Sequence, residues 1–193
     1  MTERKVTTGD ELQPWMWPIE VDLLRRSTRD RRLILEYGSG GSTVDFLTRT
    51  QARVVSVESD PEWVAKLREH PLVAESGSRV DLRHVDIGPV GEHGTPVDPA
   101  TSDRWPSYWH AGDDLDPDLV FVDGRFRVAC ALRAAICSGV PVVMHDFNRP
   151  YYQGLLKHYD LTERAARLVF LHCRDWGVSG LCRDLEQYAL DAR

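Results

Sequence analysis

From residue 32 onward the chain alternates short apolar runs with stretches whose apolar positions recur at helical spacing. Residues 32–37, R-L-I-L-E-Y, read as a buried strand. Residues 43–50 follow as a helix with Val44, Phe46 and Leu47 on its apolar side. Residues 53–58, R-V-V-S-V-E, are a second strand. Asp60-Pro61 then opens a helix, Asp as N-cap and Pro at the first helical position, with Trp63, Val64 and Leu67 facing inward. Residues 80–87, V-D-L-R-H-V-D-I, read as a third strand. Residues 118–122, D-L-V-F-V, and 140–144, V-P-V-V-M, are the fourth and fifth, separated by an alanine-rich helix over 127–137. A short helix is expected over 151–158. Residues 159–163 and 167–173 are two last strands. Their short connection makes them antiparallel neighbours, because a parallel pair needs a crossover.

This rhythm predicts an α/β fold: a doubly wound, Rossmann-like, mostly parallel seven-stranded sheet with an antiparallel last pair and helices on both faces. A single domain over 1–193 is expected, with an N-terminal helical or lid segment (1–31), a core (32–172) and a tail (173–193). The tail reads as irregular and then a short helix, offering either edge packing or a homodimer contact. Residues 88–117 interrupt the pattern with Gly, Pro and Asp, too long for a simple connection. Their Trp105, Tyr108 and Trp109 argue against disorder and suggest a lid over the cleft, whereas Trp15 and Trp17 suggest a staple onto the core.

Net charge is -6, which argues against a nucleic-acid surface. Arg25-Arg26 and the arginines of 29–32 read as a solvated helix end. No apolar run approaches the ~20 residues that span a bilayer, and residues 1–10 lack the apolar centre of a leader peptide. Cys130, Cys137, Cys173 and Cys182 form no CxxC pair. Cys130 and Cys137 are expected as buried free thiols on the alanine-rich helix. A cytoplasmic protein with no membrane partner fits these features.

In open α/β sheets ligands sit beyond the carboxyl ends of the strands, where strand order reverses. The residues there are 36–41, Glu58, Asp86, Asp123 and His145-Asp146. The densest is L-I-L-E-Y-G-S-G-G-S-T, residues 33–43. A dinucleotide turn would need Gly at Thr43, and a P-loop would need a Lys that is absent. Glu58, 20 residues after Gly38, suits a pair of ribose hydroxyls. Glu36 beside the turn suits a ligand with positive charge rather than a diphosphate.

With Glu36-Tyr37-Gly38-Ser39-Gly40-Gly41-Ser42, Glu58 and Asp86 in place, the chain resembles the class I methyltransferases that use S-adenosylmethionine, Ser42 standing for the last Gly of their motif. The resemblance spans roughly residues 32–172. It implies that Glu36 and the glycine turn hold the methionine part, Glu58 the ribose, and Asp86-Ile87 the adenine border. Candidate cofactor contacts are Glu36, Tyr37, Gly38, Ser39, Gly40, Ser42, Glu58, Ser59, Asp86, Ile87 and Asp123. Asp123-Gly124-Arg125 and His145-Asp146-Phe147-Asn148 further resemble a small-molecule O-methyltransferase-like branch, some of whose members bind a divalent metal. Asp123, Asp146 and Asn148 are the corresponding oxygen donors, but Phe126 replaces the branch's His and argues against a metal. His145, Asp146 and Asp123 are the candidate catalytic residues; His145 or Asp146 could take the proton of a hydroxyl nucleophile, or could simply pack and cap. Arg125, Arg127 and Arg149 form a basic lip that suits an acidic acceptor, or pair with loop acids. The other histidines show no ligand spacing. The expectation is methyl transfer to a small molecule, at oxygen. The alternative is a catalytically silent module of the same fold that binds the cofactor or a nucleoside. A nicotinamide oxidoreductase is disfavoured by Thr43 and Glu36.

Overall fold

The computed structural model describes residues 12–174 and 178–193. Seven strands form one sheet: β1 (Leu33–Tyr37), β2 (Arg53–Glu58), β3 (Val80–His84), β4 (Leu119–Val122), β5 (Val142–Met144), β6 (Tyr159–Ala165) and β7 (Leu168–Cys173). Their spatial order is β3-β2-β1-β4-β5-β7-β6. The first five run parallel. β7 lies antiparallel to β5, and β6 antiparallel to β7, as a connection too short for a crossover requires.

Helices α1 (Pro18–Thr28), α2 (Gly41–Arg49), α3 (Pro61–Arg68), α4 (Pro71–Glu75), α5 (Pro106–His110), α6 (Arg127–Cys137) and α7 (Val178–Tyr188) cover the sheet. The two-residue period of β1 divides its side chains between two cores. Leu33, Leu35 and Tyr37 pack with residues of α5, α6 and α7, including Trp109, Leu132 and Leu185. Ile34 joins Leu23, Leu24, Phe46 and Leu47 of α1 and α2, with Phe121 of β4, on the other face. Phe46 meets Phe121 edge-on, centroids 5.6 Å apart, a geometry that aromatic quadrupoles favour. Asp60 caps α3 through the backbone N–H groups of Glu62 and Trp63, with Pro61 at the first helical position. No helix among the described residues is long and apolar enough to cross a membrane.

Several local expectations need correction. β3 stops at His84, three residues early, because the carboxylate of Asp86 accepts from Gly88 N–H and turns the chain out of the sheet. Residues Pro150–Lys157 form a 3₁₀ helix that continues directly into β6. The 88–117 segment carries two 3₁₀ turns and α5. Its Tyr108 and Trp109 are buried in the main core, and Trp105 packs on Phe126, so these aromatics anchor the segment rather than form a mobile lid. Near the N-terminus the staple is Met16, which is buried, while Trp15 is 74% exposed. Cys130 is buried as expected, but Cys137 is exposed beside Asp113. The expectations for residues 1–10 and for the start of the tail at 175–177 lie outside the described residues.

Candidate functional site

Strand order reverses between β1 and β4, both of which lead into turns of the site. Gly38 follows β1 with φ +96, a conformation that L side chains rarely adopt. A Cβ there would stand 2.5 Å from the backbone nitrogen of Gly124, just beyond β4. Two glycines are therefore needed for the two turns to touch. The carbonyl of Tyr37 accepts from the N–H groups of both Asp123 (2.9 Å) and Gly124 (2.7 Å), which locks the second turn to the first.

Glu36 belongs to the face of β1 that packs on α2, where a hydrophobic residue would be ordinary. It is fully buried. β-sheet register sets Ser56 beside it. Three hydroxyls donate to its carboxylate: Ser42, Thr43 (2.6 Å) and Ser56 (2.6 Å). Thr43 also accepts from Gly40 N–H at 2.9 Å, so one hydroxyl ties the glycine turn to the carboxylate. Burial pushes the Glu36 carboxyl up to about 7, against the pull of the three hydroxyls. A buried carboxylate so poised is readily ionised by a nearby cation.

Glu58 ends β2 and is nearly buried. One oxygen accepts from Ser39 N–H of the glycine turn at 3.2 Å. The other accepts from the N–H groups of Ser59 (2.7 Å) and Asp60 (3.0 Å). Burial raises its pKa. Ser59 Oγ donates to the carbonyl of Gly94 at 3.1 Å. A Cβ on Gly94, whose φ is +69, would meet Ser59 Oγ at 2.6 Å and Glu58 Oε1 at 3.0 Å. The 88–117 segment thus lies directly against the Glu58 carboxylate. On the other side, residues 13–14 cross the glycine turn, so a Cβ on Gly41 would run into the backbone of Gln13 and Pro14.

The ends of β4 and β5 supply a second cluster. His145 Nδ1 lies 3.1 Å from Asp123 Oδ1, and its Nε2 lies 3.5 Å from Glu20 Oε2 of α1. Burial disfavours the charged imidazole, but Asp123, Glu20 and Asp146 outweigh it and raise the His145 pKa to about 9. His145 is therefore an imidazolium at neutral pH. Burial also works against ionisation of Glu20. The His145 charge 3.5 Å away and hydrogen bonds from the N–H groups of Trp17 and Arg167 prevail and lower its pKa to about 2. Asp123 is likewise held low, burial being overcome by Arg127 and His145. Its side chain is 28% exposed against 6% for His145, so Asp123 is the more accessible of the two.

Asp123, His145 and Asp146 offer one ligand atom each within 4.8 Å of one another. The set nevertheless does not fit a hard divalent cation. Such a cation requires free oxygen donors, and Asp146 is spent on guanidiniums: Arg149 at 2.7 Å, Arg167 at 3.3 Å and Arg127 at 3.4 Å. Arg127 also bridges to Asp123 at 3.1 Å. The positive charge that a metal would bring is already present as fixed arginine charge.

The structure gathers Glu36, Gly38, Ser39, Gly40, Ser42, Glu58 and Ser59 around the first turn, with Asp123, His145 and Asp146 across the switch point. The side chains of the rest have other surroundings, although Val85 N–H, next to Asp86, donates to the Glu58 carbonyl at 2.8 Å. The Tyr37 side chain lies in the main core, donating to the Trp109 carbonyl at 3.0 Å. Asp86 is exposed and paired with Arg104 at 3.1 Å, and Ile87 is a core residue. Asn148 is exposed, unlike the buried Asp146. Pattern reading missed Thr43 and Ser56 as partners of Glu36, Gly94 against Glu58, and Glu20 with Arg167 behind His145. Ser56 was the visible signal, a polar residue inside an otherwise apolar strand. Glu20 could be placed at a helix start, but not beside a histidine 125 residues away.

No family model and no curated protein matches the sequence. Solved structures do. A methyltransferase-like protein from Silicibacter pomeroyi is 30% identical, with a TM-score of 0.85 over 95% of this chain and all of that one. A methyltransferase from Podospora anserina, solved bound to S-adenosylhomocysteine, is 18% identical, with a TM-score of 0.53 over 79% of this chain and 77% of that one. An O-methyltransferase from Bacillus cereus, solved with S-adenosylhomocysteine, is 15% identical, with a TM-score of 0.54 over 82% of each chain. The last two share the fold. The first, over its whole length, establishes the relationship, and the glycine turn between two buried glutamates agrees with it: the chain belongs to the class I, S-adenosylmethionine-dependent methyltransferase family.

Proposed function

We propose that the protein binds S-adenosylmethionine at the first turn and transfers its methyl group to an oxygen of a small-molecule acceptor. The observation that carries this reading is the pair of buried carboxylates, Glu36 and Glu58, on either side of a glycine turn at the switch point. The cofactor supplies an electrophilic methyl carbon on a sulfonium. Its ammonium and sulfonium charges suit a site where Glu36 is poised to ionise. Glu58 suits the ribose hydroxyls, with Ser39 and Ser59 fixing its orientation.

Asp123 is the residue proposed to face the acceptor. Its ionised carboxylate orients the hydroxyl and accepts its proton as the new C–O bond forms and the C–S bond breaks. A weak base suffices, because an oxygen that is gaining a methyl group becomes strongly acidic. His145, already protonated, is not the base. With Arg127 it holds Asp123 ionised and in place, and alignment supplies much of the acceleration in a direct displacement. Asp146 holds Arg127, Arg149 and Arg167 in register.

Calorimetric titration with S-adenosylmethionine and with S-adenosylhomocysteine tests the cofactor site. Saturable heat is expected with both, and its loss in Glu58→Ala. Absence of heat with either ligand, or undiminished binding by the variant, would sink the reading. A second reading, a cofactor-binding module without transfer, is favoured by the motif departures at Ser42 and Phe126. Methyl transfer to any member of a broad acceptor panel counts against it.

A further inference from the structure

Arg125 follows Asp123-Gly124 and differs from the arginines beside it. Arg127 and Arg149 are committed to Asp123 and Asp146. Arg125 makes no ion pair among the described residues. Its contact to the 88–117 segment is a weak one, Nη1 to Thr95 Oγ1 at 3.4 Å. Its Nε is buried with no protein acceptor. Burial, and repulsion from Arg127, lower its pKa, so the fold holds this cation at a cost. Two residues that pack on its chain neighbours Phe126 and Arg127 also carry a buried donor without a protein acceptor: Trp105 Nε1 and Tyr152 Oη. Trp105 packs on Phe126, the next residue, at 5.8 Å between centroids. The Tyr152 ring lies 5.8 Å from the Arg127 guanidinium. A buried donor without an acceptor costs about 1–3 kcal/mol, so an unpaired guanidinium whose own Nε is such a donor points to a ligand that completes it.

We propose that Arg125 is the specificity residue for an acceptor that carries an anionic group, a carboxylate or a phosphate, with Tyr152 as a second donor. A planar guanidinium matches either oxyanion through paired N–H bonds. The residue sits two positions after Asp123, so the anion is held beside the carboxylate that faces the reacting oxygen. This inference rests on the methyl-transfer reading and narrows its substrate class to acidic hydroxy compounds. Neutral acceptors would leave the guanidinium unpaired.

The test uses the full chain, with and without saturating S-adenosylhomocysteine. Binding of 4-hydroxybenzoate, 4-hydroxyphenyl phosphate and neutral 4-hydroxybenzamide is followed by ligand-observed NMR. Both anions are expected to bind and the amide not to. The relative strength of the two anions tells carboxylate from phosphate recognition. Arg125→Gln should weaken the anions by roughly 10- to 100-fold, as for the loss of a charge-assisted hydrogen bond. Its affinity for S-adenosylhomocysteine should stay within about threefold, a difference of well under 1 kcal/mol. Arg125→Lys should restore part of the anion affinity. Tyr152→Phe, which keeps the ring, should cost the anions less than Arg125→Gln does. Equal binding of the amide, unchanged anion affinity in Arg125→Gln, or no anion binding to the wild-type protein overturns the proposal. Failure to bind S-adenosylhomocysteine, with anion binding intact, counts against the cofactor reading instead.

Discussion

Glu36→Gln isolates the charge of the buried carboxylate while keeping its shape. The folded pKa of Glu36 is raised from 4.5 to about 7. A raised carboxyl contributes stability that is present below the unfolded pKa and is lost as pH rises through the folded one. At 1.36 kcal/mol per pH unit, that rise amounts to about 3 kcal/mol in full. Most of the loss falls between pH 5 and pH 8, about 2–3 kcal/mol. The Gln variant lacks this term, and other titrating groups cancel in the difference. Urea unfolding of both proteins at both pH values reads it. Relative to the variant, the wild-type protein should lose about 2–3 kcal/mol between pH 5 and pH 8, a midpoint shift of roughly 1 M. Wild-type affinity for S-adenosylmethionine should also rise with pH through 7, and that of the variant should not. A stability difference that is the same at both pH values would refute the reasoning, since Glu36 would then ionise as readily in the fold as in water.

Gly38→Ala places a Cβ 2.5 Å from Gly124 backbone in a left-handed conformation. It should cost at least about 2 kcal/mol in unfolding free energy and weaken S-adenosylhomocysteine in calorimetry. Asp123→Asn should lower kcat roughly 100- to 10,000-fold once an acceptor is in hand, while S-adenosylhomocysteine affinity barely moves. For His145 the sign is that of a raised base: its stabilisation is present below pH 6.5 and is lost as pH rises through about 9. The wild-type protein should therefore lose up to about 3 kcal/mol between pH 7 and pH 10, a decline that denaturant melts of His145→Gln should not show.

The sheet was legible in the sequence because each central strand is buried on both faces and so reads as an unbroken apolar run. Leu119 to Val122 is such a case. β3 was harder, since Val80–His84 is only partly buried and alternates without a clean stop. Half of the site was legible for a different reason. Glu36, the glycines and Glu58 lie within 23 residues and are spaced by one strand–helix–strand unit. The charge cluster was not. Nothing local to His145 distinguishes a neutral base from an imidazolium, because its state is set by Glu20 and Asp123, which lie 125 and 22 positions away in the sequence. The aromatic residues of 88–117 misled for a related reason. A Trp in a Gly- and Pro-rich stretch marks an ordered segment, but not whether it covers a ligand or fills a core.

The link from Glu20 to His145 and Arg167 has a consequence for how the molecule assembles. The glycine turn and Glu58 close a short loop, so they can form early and cheaply. The Asp123–His145–Asp146 cluster is complete only when residues 20 and 167 have both docked, a contact spanning 147 positions. Contacts of that separation form late in folding and are first to go in partial unfolding. A partly unfolded protein should then keep its nucleoside half while losing the acid–base half. The chemistry of the site becomes a report on whether the two ends of the chain have met.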